Sequence, residues 1–241
     1  YIENSYYQRY TLNEVKPYIA RDIWDKEKEN FNHIMKKYKV NDAWGVVDIF
    51  EKTIAAYAGS KYAVSVDNCT NGLFLCLKYL NARDTVILPS KTWISVPCAI
   101  IHAGCKIQFE DREWSGAYQL NPYPIYDGAV RMKKGMYKPN TFHCLSFHIR
   151  KHIPIGKGGM ILTDDKNAKD ELKKMSYDGR VPDSPWREQN ISTMGYHYYM
   201  TPETAQSGLD KLQNAIDTDP SQWIVEDWPD LREMDLNIDS C

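Results

Sequence analysis

The sequence has six cysteines among its 241 residues, yet no two of them form a C-x-x-C pair. Zinc modules depend on closely spaced thiolates, so a structural zinc site is disfavoured. Most of the cysteines stand among apolar residues, as Cys76 does between two leucines, which is typical of small buried side chains. We therefore expect free thiols and a reducing, cytoplasmic location.

Long apolar runs and a strong charge of either sign are also missing. The apolar stretch from Trp93 to Ala103 is much shorter than a membrane span. No signal-peptide pattern opens the chain, whose first residue is Tyr1. Lys and Arg number 30 against 32 Asp and Glu, which leaves a formal net charge of -2. This balance favours neither nucleic acid nor a membrane surface as a partner.

Apolar residues make up 43% of the chain, which is enough for one sizeable core. Residues 1–45 are polar with helically spaced apolar positions and predict an N-terminal helical arm. Residues 46–216 alternate helical with β-branched segments, which predicts one α/β domain with a mostly parallel central sheet flanked by helices. Residues 217–241 are acidic and are expected to form a tail that is mobile or draped over the surface.

Local patterns predict the individual elements. The predicted strands are 61–67, 85–88, 106–110, 123–127, 141–146 and 160–163. The predicted helices are 13–37, 46–57, 70–80, 92–103, 165–175 and 203–216.

Polar segments follow several of these strands, at the edge where parallel sheets bind ligands. In the first, from Asp67 to Gly72, backbone N–H groups at a helix start and the Thr70 hydroxyl could hold a phosphate. By itself, however, this segment is better explained by a plain N-cap at Thr70. In the second, Trp93 could stack on a planar ligand, although core packing is the commoner role of a single tryptophan.

The third polar position is Asp127, a carboxylate at the end of an apolar strand. Burying it is costly without a cationic partner, and a protonated pyridine nitrogen is such a partner. A helix cap or a surface salt bridge explains Asp127 alone equally well.

The fourth segment runs from Ser146 to Met160 and reads SFHIRKHIPIGKGGM. Lys151 follows the strand closely, and a Gly-x-Gly-Gly turn leads into the next strand, which is an unusual setting for a surface lysine. His148 and His152 have helical spacing, but the segment resembles a loop and lacks a third ligand. No metal site is therefore predicted.

Five blocks of the sequence, in order, resemble the DegT/DnrJ/EryC1/StrS family of sugar aminotransferases, which depend on pyridoxal phosphate (PLP). The lysine segment matches the family pattern S-F-H-P-x-K-x-x-x-x-G-E-G-G-M without a gap, and DNCTNGL at 67–73 resembles the phosphate loop S-N-G-T-A-A-L. The other blocks are FEKTIAAYAGSKYAV at 50–64, PSKTW at 89–93 and GYHYYM at 195–200.

The resemblance implies a fold-type-I PLP enzyme that acts as a homodimer with shared active sites. It implies that Lys151 forms the internal aldimine with PLP, that Asp127 pairs with the pyridine nitrogen, and that Trp93 lies on the ring face. The phosphate contacts that it implies are those of Ser146, Thr70, Asn71 and, across the dimer, His197.

These residue types suit the chemistry. Lysine supplies an amine that condenses with an aldehyde and can later carry a proton. A carboxylate keeps the pyridine nitrogen protonated, so that the ring accepts electrons. The expected reaction moves an amino group from an amino acid, glutamate by family analogy, to a nucleotide-linked keto sugar.

Some positions depart from the family pattern. Lys157 replaces the Glu of G-E-G-G, Tyr199 replaces an Arg, and Val130 stands where Gln or His is usual. The C-terminal small domain is expected to be reduced or absent. Three alternatives therefore stay open: a degenerate PLP-fold binding or scaffold protein without transaminase activity, a PLP-dependent sugar dehydratase, and an aminotransferase for small keto acids.

Overall fold

A computed structural model of the chain describes residues 21–182, 184–220, 223 and 225–234. Helix α1 spans Arg21–Tyr38 and helix α2 spans Gly45–Ala58. The first part of the predicted arm, residues 1–20, lies outside this description. α1 contacts α2 and the last long helix, and its Ile34 is fully buried between them.

Strands and helices then alternate along the chain. Their bounds are β1 Tyr62–Val66, α3 Cys69–Tyr79, β2 Thr85–Pro89, α4 Ser95–His102, β3 Lys106–Glu110, β4 Tyr118–Gln119, β5 Ile125–Asp127, β6 Phe142–Ser146, β7 Gly159–Thr163, α5 Lys166–Ser176 and α6 Pro202–Ile216. Every strand and helix predicted between residues 46 and 216 is present, with small shifts at the ends. The two-residue strand β4 is an addition that the sequence pattern did not indicate.

Five strands form one mixed sheet in the order β1-β7-β6-β5-β4. β5 and β6 are parallel, whereas β7 is antiparallel to both β6 and β1, so β1, β5 and β6 run in one direction. β2 and β3 form a separate parallel pair. Backbone hydrogen bonds between Ile87 and Asn121 link this pair to the chain segment that follows β4. The expected α/β sheet is confirmed, with β7 and β4 as its antiparallel members.

Helices cover both faces of the sheet. In β7, Ile161 faces one apolar core, while Met160 and Leu162 face the other. The first core contains α3, α4 and α5, and the second contains α1, α2 and α6. A sheet buried on both faces requires apolar residues at every position, which explains the continuous apolar runs in the sequence.

The described part of the predicted tail packs against the body of the protein. It contains two short 3-10 turns, Val225–Asp227 and Leu231–Glu233. Leu231 is buried, and its backbone N–H donates to the carbonyl oxygen of Ser90 over 3.0 Å. The tail therefore returns to the end of β2, next to the polar segment that follows this strand. Among the described residues, none of the helices combines the length and apolar character needed to span a membrane.

Candidate active site

Asp127 is the buried end of β5 and is held by hydrogen bonds. Only 6% of the residue is exposed. Its Oδ2 accepts a hydrogen bond from the Tyr118 hydroxyl at 2.7 Å, and its Oδ1 accepts one from the Ala129 N–H at 2.9 Å. Burial raises the pKa of Asp127, while the Ala129 N–H, the Tyr118 hydroxyl and the charge of Lys151 oppose that rise. The carboxyl group is thus fixed in orientation and would gain from a cationic partner.

Lys151 lies in the loop between β6 and β7, and its amine is half-buried. Burial lowers the pKa of Lys151, and the charges of Asp127 and Cys69 act in the opposite direction. A lowered pKa leaves more of the amine neutral, which is the nucleophilic form. The predicted amine and the predicted carboxylate are therefore electrostatically coupled in the folded chain.

The predicted phosphate loop forms the start of α3, but its capping residue differs from the one expected. The cap is Asn68, whose side-chain oxygen accepts a hydrogen bond from the Asn71 N–H at 2.8 Å. Thr70 cannot cap, because α3 already begins at Cys69 and Thr70 lies in its first turn. Its hydroxyl instead contacts the Ser95 hydroxyl at 2.7 Å. The expected N-cap at Thr70 is thus wrong, and Asn68 has that role.

Ser146 lies at the same corner as the start of α3. It ends β6 and pairs with Gly159 of β7. Gly159 abuts the backbone before α3, where an added Cβ would lie 2.5 Å from the carbonyl carbon of Asn68. Only glycine permits this close approach. The first residue of β7, Gly159, thereby brings its partner Ser146 towards the start of α3, which contains Thr70.

An ion pair at this corner joins two departures from the family pattern. Lys157 stands where the family has Glu, and Asp67 stands where the phosphate loop usually begins with Ser. Lys157 Nζ lies 3.1 Å from Asp67 Oδ2. Asp67 Oδ1 accepts hydrogen bonds from the side-chain amides of Asn68 at 3.0 Å and Asn71 at 2.8 Å. The Asn71 side chain is thus engaged with Asp67 and its backbone N–H with Asn68, so the phosphate contact predicted for Asn71 stays a prediction.

Trp93 belongs to a group of tryptophans beside Lys151. Its side chain is 59% exposed, and its ring lies edge-on to that of Trp228, with 6.0 Å between centroids. Trp228 also contacts the rings of Trp114 at 6.3 Å and Trp223 at 5.4 Å. We call these four residues the tryptophan cluster. Only Trp93 was among the residues predicted from the sequence.

Tyr118 is a second residue that the sequence did not indicate. It is buried and faces Asp127 across the β4–β5 pair. Its hydroxyl contacts the Thr92 hydroxyl, and because Tyr118 donates its proton to Asp127, Thr92 must be the donor in that contact. A strand of two residues has no periodicity, so no sequence signal pointed to Tyr118.

His197 lies on the surface. Its side chain is 69% exposed, and Nδ1 lies 3.1 Å from Asp178 Oδ1. The ring also contacts that of Tyr199, with 4.7 Å between centroids. The contact that was predicted for His197 across a dimer stays a prediction.

A cavity of about 590 Å³ lies apart from these residues, between α2, β1 and α5. None of the predicted site residues lines it. Its wall includes Lys173, which binds both Asp48 and Glu51. Burial alone would lower the pKa of Lys173, but the two carboxylates raise it to about 12. These three charges are thus paired with one another, and they stabilise the contact between α2 and α5.

The model of the DegT/DnrJ/EryC1/StrS aminotransferase family matches residues 21–125 and 126–219. The chain belongs to this family. Two curated relatives show the extent of the match. The spore coat polysaccharide biosynthesis protein SpsC of Bacillus subtilis is 26% identical, over 71% of this chain and 57% of its own length. GDP-perosamine synthase of Escherichia coli O157:H7 is 27% identical, over 83% of this chain and 66% of its own length. The chain therefore spans somewhat more than half of each relative.

Solved structures share this fold. A sugar aminotransferase from Micromonospora echinospora superposes with a TM-score of 0.61 at 15% identity, covering 70% of this chain and 60% of the other. AtS13 from Actinomadura melliaura superposes with a TM-score of 0.62 at 20% identity, with the same coverage. The family assignment and the fold therefore agree, and the expected α/β fold class is confirmed.

Proposed function

We propose that this chain binds PLP through Lys151 and transfers an amino group from an amino acid to a nucleotide-linked keto sugar. The observation that carries the proposal is the buried, hydrogen-bonded carboxyl group of Asp127 at the end of β5, in a chain that the family model matches over residues 21–125 and 126–219. The lysine segment of the family pattern supplies Lys151. Glutamate is the proposed donor. The names of two relatives support a nucleotide sugar as acceptor: GDP-perosamine synthase, and a Campylobacter jejuni transaminase that is named for a UDP-linked amino sugar.

The donor set of the site fits PLP. A buried carboxyl group suits a cationic pyridine nitrogen, and an amine of lowered pKa suits an aldehyde. The start of α3, with the hydroxyls of Thr70 and Ser146 nearby, suits a phosphate, because the first turn of a helix offers unpaired N–H groups. When bound, PLP supplies an electron sink for the carbanion that forms at the donor Cα.

Asp127, Lys151 and Trp93 would each have a separate role in the reaction. Asp127, held by Tyr118 and by the Ala129 N–H, would keep a positive charge on the pyridine nitrogen without reorganising. Lys151 would accept a proton from the donor Cα and return it, because its lowered pKa favours the neutral amine. Trp93 would cover one face of the ring.

The proposed assembly is a homodimer in the cytoplasm. The exposure of the His197 side chain, 69%, supports the dimer, since a neighbouring chain could contact it. The five cysteines in the described part of the chain are free thiols, which supports a reducing compartment.

The first test is covalent labelling. PLP is added to the purified chain, the bond is fixed with borohydride, and the labelled residue is identified by mass spectrometry. We expect the label on Lys151 and none on the Lys151→Ala variant, with labelling of Lys166→Ala, an exposed lysine of α5, as the matched control. A folded chain that takes up no label at Lys151 would refute the proposal.

The second test addresses the reaction. Glutamate should change the visible absorbance of the PLP-loaded chain, and keto sugars linked to a nucleotide should reverse that change faster than small keto acids do. Faster reversal by small keto acids would make the chain an amino-acid aminotransferase. Binding of PLP without any response to glutamate would favour a binding protein, a second candidate that the tryptophan cover over Lys151 supports.

A further inference from the structure

The tail of the chain contacts the proposed cofactor site at two places, the segment after β2 and the Lys151 amine. We call Trp223 and residues 225–234 the C-terminal strap. Leu231 is buried, and its N–H donates to the Ser90 carbonyl oxygen at 3.0 Å. The Asp230 side chain accepts a hydrogen bond from the Ser90 hydroxyl at 3.2 Å. The backbone of Asp230 also pairs with that of Lys91 in an isolated antiparallel β-bridge. These contacts anchor the strap beside the segment that contains Trp93.

The aromatic residues of the strap cover the Lys151 amine. Lys151 Nζ lies 5.0 Å from the ring centroid of Trp223 and 5.9 Å from that of Trp228. The two rings stack on one another, with planes 28° apart. Contact between a lysine amine and two aromatic rings is favourable, and it must be given up before an aldehyde can approach the amine.

The strap also contacts the ring of Trp93. In the proposed function, this ring lies against the PLP ring, but in the structure its neighbour is Trp228. The same strap residue thus contacts the amine that would bind PLP and the ring that would cover it. PLP and the strap therefore compete for both groups.

The packing of Trp228 in the strap leaves one polar group without a hydrogen bond to the rest of the described chain, which is energetically unfavourable. The indole N–H of Trp228 is buried, and no hydrogen-bond acceptor lies within reach of it among the residues that the structure describes. A buried donor without a partner opposes the packing that the cluster gains. The strap is thus attached firmly at Leu231 and less favourably at Trp228.

We propose that the C-terminal strap is an autoinhibitory cover, and that Trp223 and Trp228 must leave Lys151 before PLP can be bound. This inference rests on the proposed function, because it names PLP as the molecule that displaces the strap. It adds a regulatory step that depends on residues outside the family's motif blocks.

The experiment measures the reactivity of Lys151 in the PLP-free, full-length chain. A small acylating reagent is applied at fixed pH, and acylation of each lysine is followed by mass spectrometry. The side chain of Lys166 is 71% exposed and serves as the internal reference. Removal of the cover in Trp223→Ala/Trp228→Ala should raise the rate at Lys151 roughly 2- to 30-fold relative to Lys166. The rate of PLP uptake should rise with it.

Two further variants control for the loss of aromatic side chains and for misfolding. Trp186→Ala removes an exposed tryptophan outside the cluster and should leave both rates unchanged. Asp230→Asn weakens the anchor without touching the cluster and should raise both rates in the same direction as the double variant.

The inference fails if Lys151 is acylated no faster in the double variant, or if the unmodified chain takes up PLP and the double variant takes it up no faster. Slower uptake would make the two rings part of the cofactor site. Acylation is measured without PLP, so the two proposals can fail separately. Faster acylation of Lys151 in the double variant, with no PLP uptake by either chain, would refute the proposed function and leave the inference of an aromatic cover standing.

Discussion

Asp127 shows how single side chains prepare the site. Its carboxyl group is buried, and the hydroxyl of Tyr118 and one backbone N–H determine its orientation. Hydrogen bonds to a charged group contribute more than those between neutral groups. Tyr118 is therefore a positioning residue, which acts on the cofactor through Asp127.

Replacing Tyr118 with Phe should weaken PLP binding roughly 10- to 100-fold, because the carboxylate loses a charge-assisted hydrogen bond. The dissociation constant is measured by absorbance titration. Tyr126→Phe is the matched control, since its hydroxyl donates to Gln119 at 2.9 Å and not to Asp127. Equal affinities of the two variants would show that Tyr118 has no part in holding the cofactor.

His143 is a buried residue that the proposed reaction does not use. Only 1% of it is exposed, and within the described part of the chain neither ring nitrogen has a hydrogen-bond partner. Burial, followed by the charge of Lys138, lowers its pKa from 6.5 to about 4. The folded chain thus binds this proton less tightly than the unfolded chain does.

The free energy of unfolding should therefore fall as the pH drops from 6.5 to about 4, by up to about 3 kcal/mol. Urea unfolding at several pH values measures this loss. In His143→Leu, the part of the slope that comes from this proton should disappear. An unchanged slope in the variant would assign the acid sensitivity to other groups.

At the scale of elements, the site depends on the contact between the start of β7 and the start of α3. The contact needs Gly159, because an added Cβ would meet backbone atoms of Asn68 and Cys69 at 2.5 and 2.7 Å. Backbone cannot move aside as a flexible side chain can. The same contact brings the β6 residue Ser146 to the proposed phosphate corner.

Gly159→Ala should lower the free energy of unfolding by about 2–3 kcal/mol and weaken PLP binding as well. Gly158→Ala is the control, since its Cβ would meet only the side chains of Ile155 and Met200, at 3.0 and 3.2 Å. Urea unfolding compares the two variants. Equal losses would mean that the backbone contact does not constrain this corner.

The predicted elements and the elements that were missed differ in one physical respect. β6 and β7 are short, mostly apolar and buried segments, and α3 and α5 have buried faces, so their local pattern was sufficient to predict them. β4 has two residues and exists only because it pairs with β5. Its position depends on a partner strand, which a local pattern cannot reveal.

At the scale of the whole molecule, the proposed site requires a second copy of the chain. With PLP bound, light scattering should give about twice the chain mass of 28.0 kDa. His197→Ala should weaken PLP retention and leave that mass unchanged, whereas His102→Ala, an exposed histidine at the end of α4, should affect neither. A monomer that holds PLP as tightly as the dimer would exclude a shared site.

The sequence by itself determined the family, the order of the strands and helices, and the amine and carboxylate proposed for the site. This was possible because each of these is encoded in a short contiguous stretch, such as 146–160. Tertiary structure alone decided what surrounds the Lys151 amine and the Asp127 carboxyl group. Trp223 and Trp228 are more than 70 residues from Lys151 in the sequence, and Tyr118 reaches Asp127 through the pairing of a two-residue strand. Packing and strand pairing bring such neighbours together, and they leave no periodic trace in the sequence.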